Sequence, residues 1–395
     1  MALTSSSSSS SKLHLPIRAI LVLLLLLLTA QPSIACYTHL FSFGDSLTDT
    51  GNFAHSIGNA PDHVRRLPYG STYFGHPTGR FCDGRLIVDF LAEAFGLPFG
   101  APYLAAKSVK DFQHGANFAV GGATALSVNF FREKGMMATW TEYSLGTQIQ
   151  WFKRVLSLLS NESDCSNIMS SSLFIVGEIG GNDYNHQFLQ GRNLATVRTF
   201  IPSVVDAISS AINELIELGA KTLVVPGNFP IGCVPVYLTI FQSQREEDYD
   251  PKTGCIKWLN EFSEYHNQQL QDELDRLRGL HPHVTIIYAD YFGASMNIFR
   301  SPHQYGFTVP LNACCGSDGP YNCTPSISCG SPESRVCADP SAYASWDGLH
   351  LTEAAYKLVA HGVLRGPYAV PALAKTCPHI ELNAAPLLYS NQCSG

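Results

Sequence analysis

The chain has 395 residues, 45% of them hydrophobic and only 14% charged, with 25 Lys and Arg against 32 Asp and Glu for a formal charge of −7. A charged fraction this far below the ~25% of an average soluble domain, on this much apolar material, excludes a disordered or coiled-coil protein. The acidic balance removes the electrostatic basis for a nucleic-acid or anionic-membrane partner, and the length permits one large α/β domain or two smaller ones.

No acidic residue occurs from Met1 to Gly44. Lys12 and Arg18 precede the apolar stretch Ala19 to Ala30, and small residues follow at Ser33 and Ala35. These are the parts of a secretory signal peptide, which predicts a leader over residues 1–35 cleaved after Ala35. The apolar stretch is shorter than the ~20 residues that span a bilayer, and no later segment reads as a transmembrane anchor. The serine run Ser5 to Ser11 supports a rival reading as an organellar transit peptide. Secretion is the expectation, with vacuole, ER lumen or plastid as alternatives.

Beyond the leader, strand and helix patterns alternate. His39 to Phe43 reads as a strand. Ile87, Phe90, Leu91 and Ala94 fall at i, i+3, i+4 and i+7, the spacing of one helix face. Asn117 to Val120 reads as a short strand end. Leu145, Ile149, Phe152, Leu156 and Leu159 form the next helical stripe, and Leu173 to Val176 a buried strand. A helix is predicted from about Thr196 through Leu215, stopped at Gly219 by a C-cap glycine. Strands at Leu223 to Val225 and Val284 to Tyr288 flank a polar helix over Trp258 to Leu277, and a last helix follows Thr352. Short strands interleaved with longer helices predict a parallel sheet covered on both faces. No composition break divides the chain, so a single domain is expected over 36–395.

All 12 cysteines lie at or beyond Cys36, and Cys314, Cys315, Cys323, Cys329 and Cys337 crowd into one loop-like stretch. No C-x-x-C pair occurs, so structural disulfides in an oxidising compartment are expected, with no metal and no cofactor. Cys329–Cys337, closing a short loop, is the pairing expected first. Sequons at Asn161 and Asn322 are candidate glycan sites.

In such a sheet, reactive groups gather beyond the carboxyl ends of the strands. Four polar, glycine-rich clusters fall at such ends or in late loops: Phe43 to Asn52, Asn117 to Thr124, Gly180 to Asp183, and Trp346 to His350. Singly, each has an ordinary structural role. Ser46 could cap a helix, Gly121-Gly122 could make a tight turn, Asn182-Asp183 an Asx turn, and Asp347 with His350 a helix entrance. Together they supply every part of an acyl-transfer site. A serine hydroxyl needs an adjacent base, and His350 is the candidate for Ser46. Asp347, three positions earlier, can hold the imidazole in the required tautomer. The Ser46 and Gly122 N–H groups and the Asn182 amide can serve as oxyanion donors.

Gly44-Asp45-Ser46-Leu47, with Gly122, Asn182 and the Asp347/His350 pair in that order, resembles the GDSL (SGNH-hydrolase) esterase/lipase family, in particular its plant secreted branch. Further phrases of that branch are Asp49 to Asn52, Pro77 to Arg80 with Asp83 to Arg85, Asn117 to Ala125, Gly177 to Asp183 and Pro226 to Gly232. The match runs from about His39 to Gly366. The resemblance implies a three-layer α/β/α sandwich with a mostly parallel, flavodoxin-like sheet. It also implies a triad of Ser46, Asp347 and His350, and an oxyanion hole of Ser46, Gly122 and Asn182. Leu351 stands where many members have Pro or Phe, a difference expected to tune activity and not to abolish it.

The expected function is therefore a serine carboxylic-ester hydrolase acting on small acylated metabolites, such as acetylated alkaloids or phenolic esters, or on lipid-like esters. An acyltransferase passing the acyl group to an alcohol, and a catalytically silent binding protein, are the alternatives. No G-x-S-x-G elbow or H-E-x-x-H zinc motif occurs. His281-Pro282-His283 reads as a surface turn. Pairing Asp183 with Asp347 as glycosidase carboxylates would leave Ser46 and His350 without roles. The segments Phe53 to Tyr73 and Leu126 to Tyr143, with His55, Phe130, Phe131 and Trp140, are expected either to line the substrate pocket or to anchor loops.

Overall fold

Alternation along the central strands divides their side chains between two apolar cores, one on each face of the sheet. The computed structural model describes residues 36–136, 140–160 and 164–377. The expected leader and the Asn161 sequon lie outside the described residues. The main-sheet strands are β1 (His39–Phe43), β2 (Gly115–Asn117), β3 (Ser172–Val176), β4 (Thr222–Pro226) and β5 (Thr285–Ala289). Short strands follow: β6 (Val309–Ala313), β7 (Cys315–Gly316), β8 (Arg335–Val336), β9 (Tyr343–Ser345) and β10 (Ala369–Val370). The sheet order is β2-β1-β3-β4-β5-β10. Its pairings are parallel except for β10, which lies antiparallel to β5 at the edge. This is the flavodoxin-like order, and it reverses direction between β1 and β3.

The helices that bear on the site or the cores are α1 (Ile87–Ala94), α2 (Leu145–Leu159), α3 (Gly181–Leu189), α4 (Leu194–Arg198), α5 (Ile201–Glu217), α6 (Lys257–Leu280), α7 (Tyr291–Arg300) and α8 (Glu353–Arg365). Phe41, Phe43, Phe174 and Val225 pack with Phe152 of α2, Ile208 of α5 and Leu270 of α6. Leu40, Ile175, Val224 and Ile287 point the other way, against Leu91 of α1, Ile298 of α7 and Val359 of α8. Adjacent strand residues thus serve opposite layers, and the α/β/α sandwich follows. Among the described residues no helix is long and apolar enough to cross a membrane.

The structure departs from the sequence reading in three places. The helix expected from Thr196 is two helices, because Pro202 sits in the first turn of α5, where its missing N–H costs no hydrogen bond. The strand expected at Asn117 to Val120 is displaced: β2 ends at Asn117. There the side-chain amide donates to the Ser42 hydroxyl (2.9 Å) and the Thr48 carbonyl (2.7 Å), turning the chain out of the ladder. The expected Cys329–Cys337 bridge does not form. Cys314 pairs with Cys337 and Cys315 with Cys329, beside Cys233–Cys255 and Cys36–Cys377. Strand register is the cause. β7 and β8 place Cys315 opposite Val336, and the Cys337 N–H donates to the Cys314 carbonyl at 2.7 Å, so Cys337 faces Cys314 and Cys329 is left for Cys315.

Candidate active site

Ser46 follows the end of β1 in a turn that only glycine can open. Gly44 has φ +143°, and a Cβ there would lie 2.7 Å from the Glu178 carbonyl oxygen. The buried Gln148 of α2 clamps this peptide, its Oε1 accepting from Gly44 N–H and its Nε2 donating to Gly44 O, both at 2.8 Å. Leu47 N–H then donates to Asp45 Oδ1 at 3.0 Å, which closes the turn and leaves the Ser46 side chain directed along the carboxyl edge of the sheet.

His350 arrives from the other end of the chain, in the loop after β9. Its Nε2 lies 2.8 Å from Ser46 Oγ, and its Nδ1 lies 2.7 Å from Asp347 Oδ2. An ionised carboxylate only accepts, so Nδ1 carries the proton and the Nε2 lone pair faces the serine hydroxyl. Asp347 Oδ1 accepts from the backbone N–H groups of Leu349 (3.0 Å) and His350 (2.8 Å), and Oδ2 accepts from the Tyr69 hydroxyl (2.9 Å). Burial alone would raise this carboxyl, but the His350 charge and these hydrogen bonds outweigh it and hold Asp347 well below the usual carboxylate range. Tyr69 is itself buried beside that charge, which pushes its hydroxyl well up and keeps it a donor. The Phe81 ring packs 5.0 Å from the imidazole.

Gly122 lies in the turn after β2 with φ +79°. Among the described residues no acceptor takes its N–H or that of Ser46, so both are free to receive an oxyanion. The Gly121–Gly122 unit is held on both sides: Gly121 N–H donates to Asp49 Oδ2 (2.8 Å), and His186 Nε2 lies 3.4 Å from Gly122 O. Asn182, in the first turn of α3, stands at the same edge. Its Nδ2 donates to Asp45 Oδ2 (3.0 Å) and to Ala123 O (3.1 Å), so donation to an oxyanion requires sharing one of those hydrogens. Asp183 accepts from Ala125 N–H (2.8 Å) and Leu126 N–H (2.9 Å), tying α3 to the Gly122 loop. Both of its oxygens are occupied in that role.

Ser46, Asp347, His350, Gly122 and Asn182 thus meet at the carboxyl edge between β1, β2 and β3. Asn322 does not join them. It is half-buried in the cysteine-rich segment and donates its amide to Ala313 O at 2.7 Å. Sequence reasoning assigned no role to Tyr69, to Gln148, to Asp49 or to the buried acids Asp45 and Glu178. Burial raises both of these carboxyls, and the Asp45 charge raises Glu178 further. Asp49 offered a local signal, since an Asp three positions before Asn52 suits a turn that gathers N–H groups; it accepts from Gly51 and Asn52. Tyr69 offered none.

The two readings of the segments Phe53 to Tyr73 and Leu126 to Tyr143 divide between residues. The cavity at Ser46 is walled by Phe229 to Val234, by α7 and by Leu349 to Leu351. Phe130 and Phe131 instead pack against Phe200, and His55 is exposed. Two aromatics of these segments do reach the site: Tyr69, whose hydroxyl donates to Asp347, and Trp140, whose Cβ lies against Gly122.

A family model described as GDSL-like lipase/acylhydrolase matches residues 40–363. The chain is 48% identical over 353 residues to a sinapine esterase of Brassica napus, covering 88% of this chain and 90% of that protein. It is 51% identical over 344 residues to a GDSL esterase/lipase of Arabidopsis thaliana, covering 86% and 87%. A second Arabidopsis thaliana GDSL esterase/lipase is 48% identical over 358 residues, covering 90% and 92%.

Proposed function

Because the chain belongs to the GDSL-like lipase/acylhydrolase family, and is accordingly a serine carboxylic-ester hydrolase, we propose that Ser46 is its nucleophile, His350 its general base and Asp347 the group that orients the imidazole. Family membership makes the substrate a small-molecule or lipid ester. The observation that carries the residue assignment is the 2.8 Å approach of His350 Nε2 to Ser46 Oγ, with Nδ1 fixed by Asp347.

In the proposed cycle Ser46 Oγ attacks the ester carbonyl carbon while its proton passes to His350 Nε2. The carbonyl oxygen becomes an oxyanion received by the Ser46 and Gly122 N–H groups, with Asn182 sharing an amide hydrogen. Collapse breaks the bond to the alcohol oxygen, which leaves with the proton from His350. Water then attacks the acyl-enzyme by the same route, giving the free acid and restoring Ser46. We further assign the mature protein to the secretory route, on the strength of four disulfides and the leader pattern before Cys36.

A fluorophosphonate probe tests the assignment. Peptide mapping of protein collected from culture medium is expected to place the adduct on Ser46 and to begin at Cys36. Ser46→Ala is expected to abolish both labelling and ester turnover with unchanged circular dichroism. Persistent turnover in Ser46→Ala would mean that another group is the nucleophile.

A further inference from the structure

A cavity of about 60 Å³ opens beside Ser46 and His350 and runs over the carboxyl ends of β3 and β4 to α7. By the measure in which a water needs about 10–15 Å³, it holds roughly four to six water-sized groups. Phe229, Ile231, Val234, Phe299 and Leu349 give it apolar walls. Polar residues line it as well, and two of them carry an unpaired side-chain atom. Asn228 is 2% exposed and Ser295 1%, and among the described residues neither Asn228 Oδ1 nor Ser295 Oγ has a hydrogen-bond partner. Asn228 is also held in place. Its N–H donates to Asn267 Oδ1 (2.7 Å), and its carbonyl accepts from Asn267 Nδ2 (3.0 Å). A buried amide and a buried hydroxyl left unpaired cost free energy that a ligand oxygen would offset.

We propose that this cavity is the acyl pocket of the esterase, shaped for a short, uncharged acyl arm bearing a hydroxyl that the Asn228 amide and Ser295 hydroxyl bind. The inference rests on Ser46 as nucleophile and adds the class of its acyl donor. The acyl arm is assigned here, not the alcohol arm, because the acyl group stays on Ser46 between the two half-reactions. The alcohol must leave and be replaced by water beside His350, so its site has to open to solvent. An arm that stays suits a cavity whose far end is buried. Among the described residues no Lys or Arg lines the cavity, whereas Asp45 and Glu178 do, so an anionic acyl end has no fixed counter-charge. A hydroxyl both donates and accepts, which matches an amide and a hydroxyl together.

The test uses p-nitrophenyl esters of one alcohol with varied acyl groups on the purified mature protein. The decisive pair is 3-hydroxybutyrate and 3-methylbutyrate, which have the same shape and differ by hydroxyl against methyl. The hydroxyl ester is expected to show a kcat/KM about 5–10-fold higher, the range of one hydrogen bond gained. Decanoate and hydroxycinnamate esters are expected at least tenfold below butyrate. Ser295→Ala is expected to bring the pair's ratio towards one by raising KM for the hydroxyl ester. Phe299→Ala, which lengthens the cavity, is expected to raise the decanoate rate, and it supports the proposal independently if Ser295→Ala fails to fold. Turnover of acetate with a wild-type ratio near one, or with decanoate as fast as butyrate, overturns the pocket assignment alone. No turnover of any ester, acetate included, overturns the nucleophile assignment and this inference with it.

Discussion

The Asp347 carboxylate gathers four donors: two backbone N–H groups on Oδ1, and the His350 ring and Tyr69 hydroxyl on Oδ2. They do different work. The backbone pair fixes the turn, His350 Nδ1–H sets the tautomer, and Tyr69 limits how far Oδ2 can follow the imidazolium when it forms. Asp347→Asn keeps the shape but can present an N–H to the ring, and so is expected to lower kcat by about 10⁴-fold. Tyr69→Phe leaves the ring packing against Trp346 and removes only one donor, with the other three intact. Its expected loss is about three- to tenfold in kcat, with KM little changed. A Tyr69→Phe variant with wild-type kcat would make Tyr69 a packing residue only. Asp347 and His350 were legible because three positions apart is one turn, and each has a chemistry that needs the other. Tyr69 was not: it reaches Asp347 across 278 positions, and within the segment Phe53 to Tyr73 nothing singles it out from the other aromatics. For the same reason Gln148, spaced 104 positions from the Gly44 peptide it clamps, read only as part of an amphipathic helix.

At the scale of elements, the cysteine-rich segment positions the Asp347–His350 turn. Cys314 N–H donates to Ser345 O (3.0 Å) and Cys315 N–H to Trp346 O (2.7 Å), so the strand carrying both disulfides is tied to the residues just before Asp347. β6 lies beside β9 in the same unit. Cys315–Cys329 closes a short loop, 14 positions apart, and loops of this size are stabilised by about 3 kcal/mol on chain entropy. The double substitution Cys315→Ser with Cys329→Ser is expected to lower Tm and, at temperatures where the fold survives, to lower kcat more than it changes KM. A variant with reduced Tm and unaltered kcat would separate the disulfide from the site. Elements built on a repeating apolar pattern were legible: β1 and α2 fall at the residues their side chains mark. α3 and α7 were not. α3 spends its first turn on Gly181, Asn182 and Asp183, chosen for the site and not for a helical stripe. The pairing of β7 with β8 rests on two residues each, too few for alternation to show.

Across the whole molecule, burial shifts two sets of titrating groups in opposite senses. Asp49 is pushed up to about 6 and Asp183 to about 7, each chiefly by burial. His186 is lowered to about 4 and His266 to about 3, also by burial. An acid with a raised folded pKa binds more protons folded than unfolded between its two pKa values, so its contribution to stability falls as pH rises through that window. A histidine with a lowered folded pKa binds fewer protons folded than unfolded, so its contribution rises with pH up to the ordinary imidazole value. Between pH 5 and 8 the two sets oppose each other, and removing a member of either exposes the other. His266 in α6 meets the Tyr184 hydroxyl at 2.8 Å through Nδ1 and has no partner at Nε2 among the described residues. His266→Gln deletes a term worth roughly 2 kcal/mol over this range, and Asp183→Asn deletes one of similar size and opposite sign. The difference Tm(pH 5) − Tm(pH 8) is therefore expected to become more positive than wild type in His266→Gln and more negative in Asp183→Asn, measured by calorimetry. Shifts of the same sign in both variants would refute the opposition. Activity follows a separate rule: in the proposed cycle His350 is the general base, so turnover is expected to fall at acidic pH, measured as a kcat/KM profile.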